Sequence, residues 1–156
     1  MILKARNPLR RVAAFGGRAV QTLLHQPGEI ILLLRMAFWV VAVTILMKRL
    51  PMPRVLQIVT PRRSRSATAE SVNANRRAQI LDWLLSRNIL CFTPTCWKRA
   101  PVLYRYLALS GIQTCIVFGV RPSTGEKLDG HAWLEKDGKA ILEKTLPDYV
   151  VTYSFP

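Results

Sequence analysis

Acidic residues are nearly missing from the first part of this chain. Residues 1–66 hold one acid, Glu29, against twelve of the 23 Lys+Arg, and so carry +11 of a formal net charge of +14. Cysteine is scarce as well. Cys91, Cys96 and Cys115 are an odd number, too few for a disulfide scaffold, and they favour a reducing compartment. There is no CxxC pair, and only His25 and His131 could join a cysteine as ligands, so neither a metal nor any other cofactor is implied. The chain has no internal repeat and no zinc-finger, RRM or KH signature. Its aromatic residues do not interleave with its bases as single-strand stacking requires, which argues against nucleic acid as a partner. No small-residue cleavage site follows the apolar stretch, so a secretory signal is not expected. With 156 residues there is no room for a multidomain enzyme carrying its own large cofactor fold.

What is present divides in two. A hydrophobic content of 50% and a mean hydropathy of +0.16 exclude a disordered basic tail. Residues 1–66 read as a basic, apolar helical segment, with helices at about 8–24 and 29–49 broken by Pro27-Gly28, and a short one at 53–59. Within Ile30–Met47 the only charge is Arg35. The uninterrupted run, Met36–Met47, is twelve residues. That is short of the roughly 20 a membrane span needs, and it reads as a buried helix. The flanking bases face solvent, anionic lipid or an acidic peptide; peripheral membrane contact is one use of such a segment. Residues 61–69 (PRRSRSATA) are a linker by composition. Residues 67–156 hold 11 bases and 8 acids and read as an ordinary soluble domain.

The chemistry lies in that second part. Apolar residues at helical spacing (Ala78, Ile80, Leu81, Leu84, Leu85) predict a helix over about 68–88. Thr95 is a candidate N-cap that sets Cys96 in the first turn of a helix stopping at Gly111. The orphan N–H groups and dipole there favour a thiolate and could receive an oxyanion. Pro101 conflicts with this helix and predicts a kink or an irregular turn at Cys96. Cys91 and Cys115 read as small core residues. Thr114–Val120 predicts a buried strand. Residues 130–135 and 140–145 predict a hairpin through Lys136-Asp137-Gly138-Lys139. A two-residue turn would set Lys136 opposite Lys139. A three-residue loop with Gly138 left-handed avoids that, and sets Glu135 opposite Lys139, Trp133 opposite Ile141 and His131 opposite Glu143. The second register is preferred, and it puts a carboxylate beside an imidazole. Thiol, imidazole and carboxylate together are the parts of a nucleophilic triad, with Cys96 attacking, His131 moving the proton and Glu143 orienting the ring.

The block TCWKRAPVLYRYLALSGIQTCIVFGV followed by GHAWLEKDGKAILE resembles the small transglutaminase-like cysteine peptidases of lasso-peptide maturation, the microcin-processing leader peptidases. The family pattern falls on Cys96, Arg99-Ala100, Gly111-Ile112, Gly119-Val120 and His131 through Gly138, and covers about 75–145; the leucine-rich stretch 29–60 also resembles the segment before the family's core. The resemblance implies an α+β fold, a transglutaminase-like (papain-like) core of a Cys-bearing helix on a small antiparallel sheet, preceded by a helical segment. It implies Cys96 and His131 as the catalytic pair. The family's Asp, twelve residues after the His, is Glu143 here, one methylene longer, with Asp148 as the alternative third residue; Trp97 stands where Leu is common. It also implies a precursor-peptide substrate, a separate leader-recognition protein, an ATP-dependent lasso cyclase and a cytoplasmic, or membrane-associated, location. The rival readings are transglutaminase-type acyl transfer by the same pair and a non-catalytic membrane-associated scaffold.

Overall fold

The computed structural model describes residues 27–62, 70–87, 92, 95–122, 128–143 and 148–156. The helix expected at 8–24, most of the linker and Cys91 lie outside these residues. The chain falls into two compact units, Met1–Arg35 and Met36–Pro156. Of the first, only the start of one helix is described.

That helix, α1 (Pro27–Arg49), begins on a proline, where the missing N–H costs nothing, and carries Glu29 in its first turn and Lys48 and Arg49 in its last. It stops before Pro51, because a residue preceding proline is disfavoured in helical conformation. Helix α2 (Met52–Val59) has Pro53 in its first turn and ends at Thr60, whose hydroxyl donates to the Leu56 carbonyl at 2.8 Å. Helix α3 (Glu70–Leu85) buries Ala78, Ile80, Leu81, Leu84 and Leu85, the residues whose spacing predicts it.

Helix α4 (Cys96–Ala108) starts where the sequence places it, with Thr95 as N-cap. Thr95 acts through its backbone, however. Its carbonyl accepts from the amides of Lys98 and Arg99, both at 3.1 Å, and its hydroxyl makes no cap bond. Pro101 is buried inside the helix without interrupting it. What the proline removes is the amide that would bond the Trp97 carbonyl. The helix closes as predicted around Gly111, at φ 83°, where Ile112 N–H bonds Leu107 O and Gly111 N–H bonds Ala108 O, both at 3.0 Å. Val102, Leu103 and Leu107 are fully buried, each contributing about 1.5–3 kcal/mol by removal from water.

The sheet is antiparallel throughout, in the order β3-β2-β1-β4, from β1 (Cys115–Pro122), β2 (Leu128–Lys136), β3 (Lys139–Ile141) and β4 (Val150–Phe155). Helix α4 packs on β1 and β2. The α+β architecture is therefore the expected one, with β4 an additional edge strand that sequence reading missed.

The hairpin register is corrected. The pairs are Lys136↔Lys139, Glu135↔Ala140 and Leu134↔Ile141, those of a two-residue turn with both Asp137 (φ 53°) and Gly138 (φ 71°) left-handed. Asp-Gly suits this turn, whose twist matches that of the flanking strands. The facing lysines are both exposed, so their repulsion is screened and loses to the turn preference.

Candidate active site

Glu143 reaches His131 all the same, by a route other than ladder pairing. β3 ends at Ile141, and Leu142 takes a left-handed conformation (φ 59°) that turns the chain out of the strand. Glu143 Oε2 then lies 3.4 Å from His131 Nε2. Its other oxygen, Oε1, accepts from Arg99 Nη1 at 2.7 Å. Arg99 also donates from Nε to Asp82 Oδ1 at 2.7 Å and from Nη2 to the Leu142 carbonyl at 2.7 Å. One guanidinium thus ties α3, α4 and the residues after β3 together, holding both the carboxylate of Glu143 and the backbone bend that presents it. Burial alone would lower the Arg99 pKa; the hydrogen bonds and charges of Asp82 and Glu143 outweigh it and hold the group above its ordinary value. The cation therefore persists at any working pH. Neither Asp82 nor this role of Arg99 is foreseen by sequence reading; Arg99 entered only as part of the family pattern.

His131 is fixed from its flanks as well. Its ring stacks on Tyr149 (centroids 5.2 Å apart) and on Trp133 (5.9 Å). On β2, His131, Trp133 and Glu135 share one face, with Ala132 and Leu134 on the other. The Trp133 indole N–H donates to Glu135 at 2.8 Å, which explains the acid in the HAW-x-E pattern as an anchor for the indole. Gly119 lies opposite His131, and a Cβ there would meet the Tyr149 Cβ at 2.8 Å and the Trp133 ring at 2.9 Å. Only glycine leaves room for the rings that bracket the imidazole.

Tyr149 is held in turn. Its hydroxyl donates to Asp129 at 2.9 Å, and Arg121 both pairs with Asp129 and covers the Tyr149 ring at 4.6 Å. The Tyr149 hydroxyl first, and Arg121 next, hold the Asp129 carboxyl below the usual range. Burial first, and then the bond to Asp129, push the Tyr149 phenol up.

Cys96 occupies the first helical position of α4, half-buried. Its thiol donates to the carbonyl of Gly130 at 3.9 Å rather than to the imidazole; Gly130 directly precedes His131. The next residue, Trp97, stacks on Phe118 (5.1 Å) and lies over Gly130. Asp148, the alternative acid, is exposed and makes no ion pair among the described residues. Cys115 is half-buried on β1, apart from these contacts. No cluster of three or more metal-ligating side chains occurs among the described residues. A hollow of about 580 Å³, lined by Leu107, Ile112, Ile141 and Leu142 among others, shares only Leu142 with this network.

A helix opening on a cysteine is packed on an antiparallel sheet whose second strand carries a histidine paired with an acid, the kinds of group that thiol-acyl chemistry uses. The sequence profile of the Transglutaminase-like superfamily matches residues 37–154, and the chain belongs to that superfamily, whose activities are those of cysteine peptidases and acyl transferases. No curated protein and no solved structure matches the chain.

Proposed function

We propose that the protein is a cysteine peptidase that removes the leader from a ribosomally made precursor peptide in lasso-peptide maturation. Cys96 is its nucleophile, His131 its general base and acid, and Glu143 the orienting carboxylate. The observation that carries the reading is the His131–Glu143 contact, on the strand end that also receives the Cys96 thiol. With Nε2 turned to Glu143, Nδ1 is the nitrogen left to take the thiol proton. The thiolate adds to the scissile carbonyl, and the developing oxyanion draws on the positive end of the α4 dipole. His131 returns its proton to the departing amine as the C–N bond breaks. Water, deprotonated by the same imidazole, then adds to the thioester and releases the acid and the thiol.

The segment before the sheet is helical where described, which suits a system in which a separate recognition protein delivers the leader. An ATP-dependent cyclase would then use the freed amine, which makes a cytoplasmic setting the natural one. The rival within the superfamily is transfer of the acyl group to an amine.

Reconstitution with a candidate precursor and its recognition protein separates these readings. Peptidase action yields two fragments whose masses sum to the precursor plus water, and Cys96→Ala abolishes it. A product joined with loss of ammonia would establish the acyl transferase instead, and cleavage surviving in Cys96→Ala would overturn the mechanism.

A further inference from the structure

Helix α1 is long and apolar enough to cross a membrane by length and composition, and only 17% of its apolar window is buried inside the protein. Met36, Val40 and Val43, at i, i+4 and i+7, are 0% exposed. One stripe of the helix is therefore covered by protein, and only the rest of its circumference is open to another partner. The opposite stripe is bare: Phe38 is 65% and Ile45 56% exposed, one heptad apart, and Ile31 and Leu34 of the same helix are also exposed. Beyond them come the exposed bases Lys48, Arg49 and Arg54 and the exposed Ile58 of α2. No acid lies between Ile30 and Thr60.

We propose that α1 is an interfacial attachment element, which lays its Phe38–Ile45 stripe in the surface of an anionic bilayer while its other stripe stays packed on the folded unit. The combination of large apolar side chains with bases at the C-terminal end and no acid selects this occupant over a protein partner. Apolar side chains enter the acyl boundary, and Lys48, Arg49 and Arg54 meet lipid phosphates and carboxylates. A free amphipathic helix turns a polar face to water; here the protein core takes the place of that face, so the helix is apolar all round and still lies flat. This placement does not depend on the peptidase reading.

The test uses the whole chain in flotation with neutral phosphatidylcholine vesicles and with vesicles containing about 30 mol% phosphatidylserine, at ~0.15 M salt. The expected result is flotation with the anionic vesicles only. Phe38→Glu with Ile45→Glu abolishes it while leaving the thermal unfolding transition in place, since both side chains face outward. Lys48→Glu with Arg49→Glu weakens it at least about tenfold. Bound protein comes off when the vesicles are stripped at alkaline pH. Failure to float, flotation unchanged in the Phe38/Ile45 variant, or retention through the alkaline wash as an integral span would each overturn the proposal. So would a dimer that the Phe38/Ile45 variant converts to monomer, which would show a second copy of the chain on this face.

Discussion

On the proposed reading, Glu143 makes the difference between a working imidazole and an idle one. It is bonded on one oxygen by Arg99 and faces His131 with the other, so the two ends of the carboxylate have separate tasks. Glu143→Gln keeps the size and loses the charge. On the proposed reading it lowers the rate of acylation by about 10²–10⁴-fold, the range of a general base that has lost its proper orientation, while Asp148→Asn leaves the rate unchanged. Arg99 acts one step back, as a positioning residue. Arg99→Lys retains a positive charge but cannot reach Asp82, Glu143 and the Leu142 carbonyl together. The expected outcome is a lowered rate at saturating substrate with KM little changed, together with a stability loss of roughly 1–3 kcal/mol in chemical denaturation. If KM rises and the rate holds, Arg99 touches substrate instead. The length of the Glu143 side chain suits this bend, because the chain leaves the ladder at Leu142 and the carboxylate reaches back to both partners.

At the scale of elements, helix and strand content was legible because each signal was local. The apolar spacing of α3, the Thr95–Cys96 start of α4, the Gly111 stop and the β-rich run of β1 all correspond to elements present. The hairpin register is not legible, because the repulsion between Lys136 and Lys139 and the turn preference of Asp-Gly point to different pairings. The juxtaposition drawn from it was right for another reason, the left-handed Leu142, which has no sequence signature. β4 escaped although Val150, Val151, Thr152, Tyr153 and Phe155 are strand formers, and Asp82 escaped because nothing in a sequence shows which acid will meet Arg99. Gly119 gives the sharpest test at this scale. Gly119→Ala forces apart the Tyr149 and Trp133 groups that bracket His131. It is expected to cost about 1–3 kcal/mol in denaturation and to slow the site more than a distant substitution of equal cost. A neutral effect on both would show that the bracket is not needed.

Across the whole molecule, the superfamily match runs from residue 37 to 154, so it takes in the part of α1 that buries Val40 and Val43 and all of α2. The compositional boundary at 66/67 marks a change in charge, while contacts cross it: Arg105 of α4 donates to the Val59 carbonyl at 2.7 Å and lies over the Trp39 ring at 3.9 Å. The Asp129–Tyr149–Arg121 cluster links β1, β2 and the approach to β4, and makes stability depend on pH. Asp129 titrates lower in the folded state than in the unfolded chain, so between the two values the unfolded state binds more protons and stability rises with pH. Its contribution is present above about pH 4 and is lost as pH falls through the folded value. Asp129→Asn should flatten that acid limb of the melting temperature against pH; an unchanged limb would place the acid sensitivity elsewhere.

The proposed mechanism needs Cys96 and His131 to work as a pair, which can be tested without knowing the substrate. Iodoacetamide labelling of the whole chain at neutral pH, mapped by mass spectrometry, compares Cys96 with Cys91 and Cys115 in the wild type and in His131→Ala. Cys96 is expected to label at least ~10-fold faster than the other two, and to lose that advantage in the variant. Equal labelling of all three cysteines, or a Cys96 advantage indifferent to His131, would contradict the pairing.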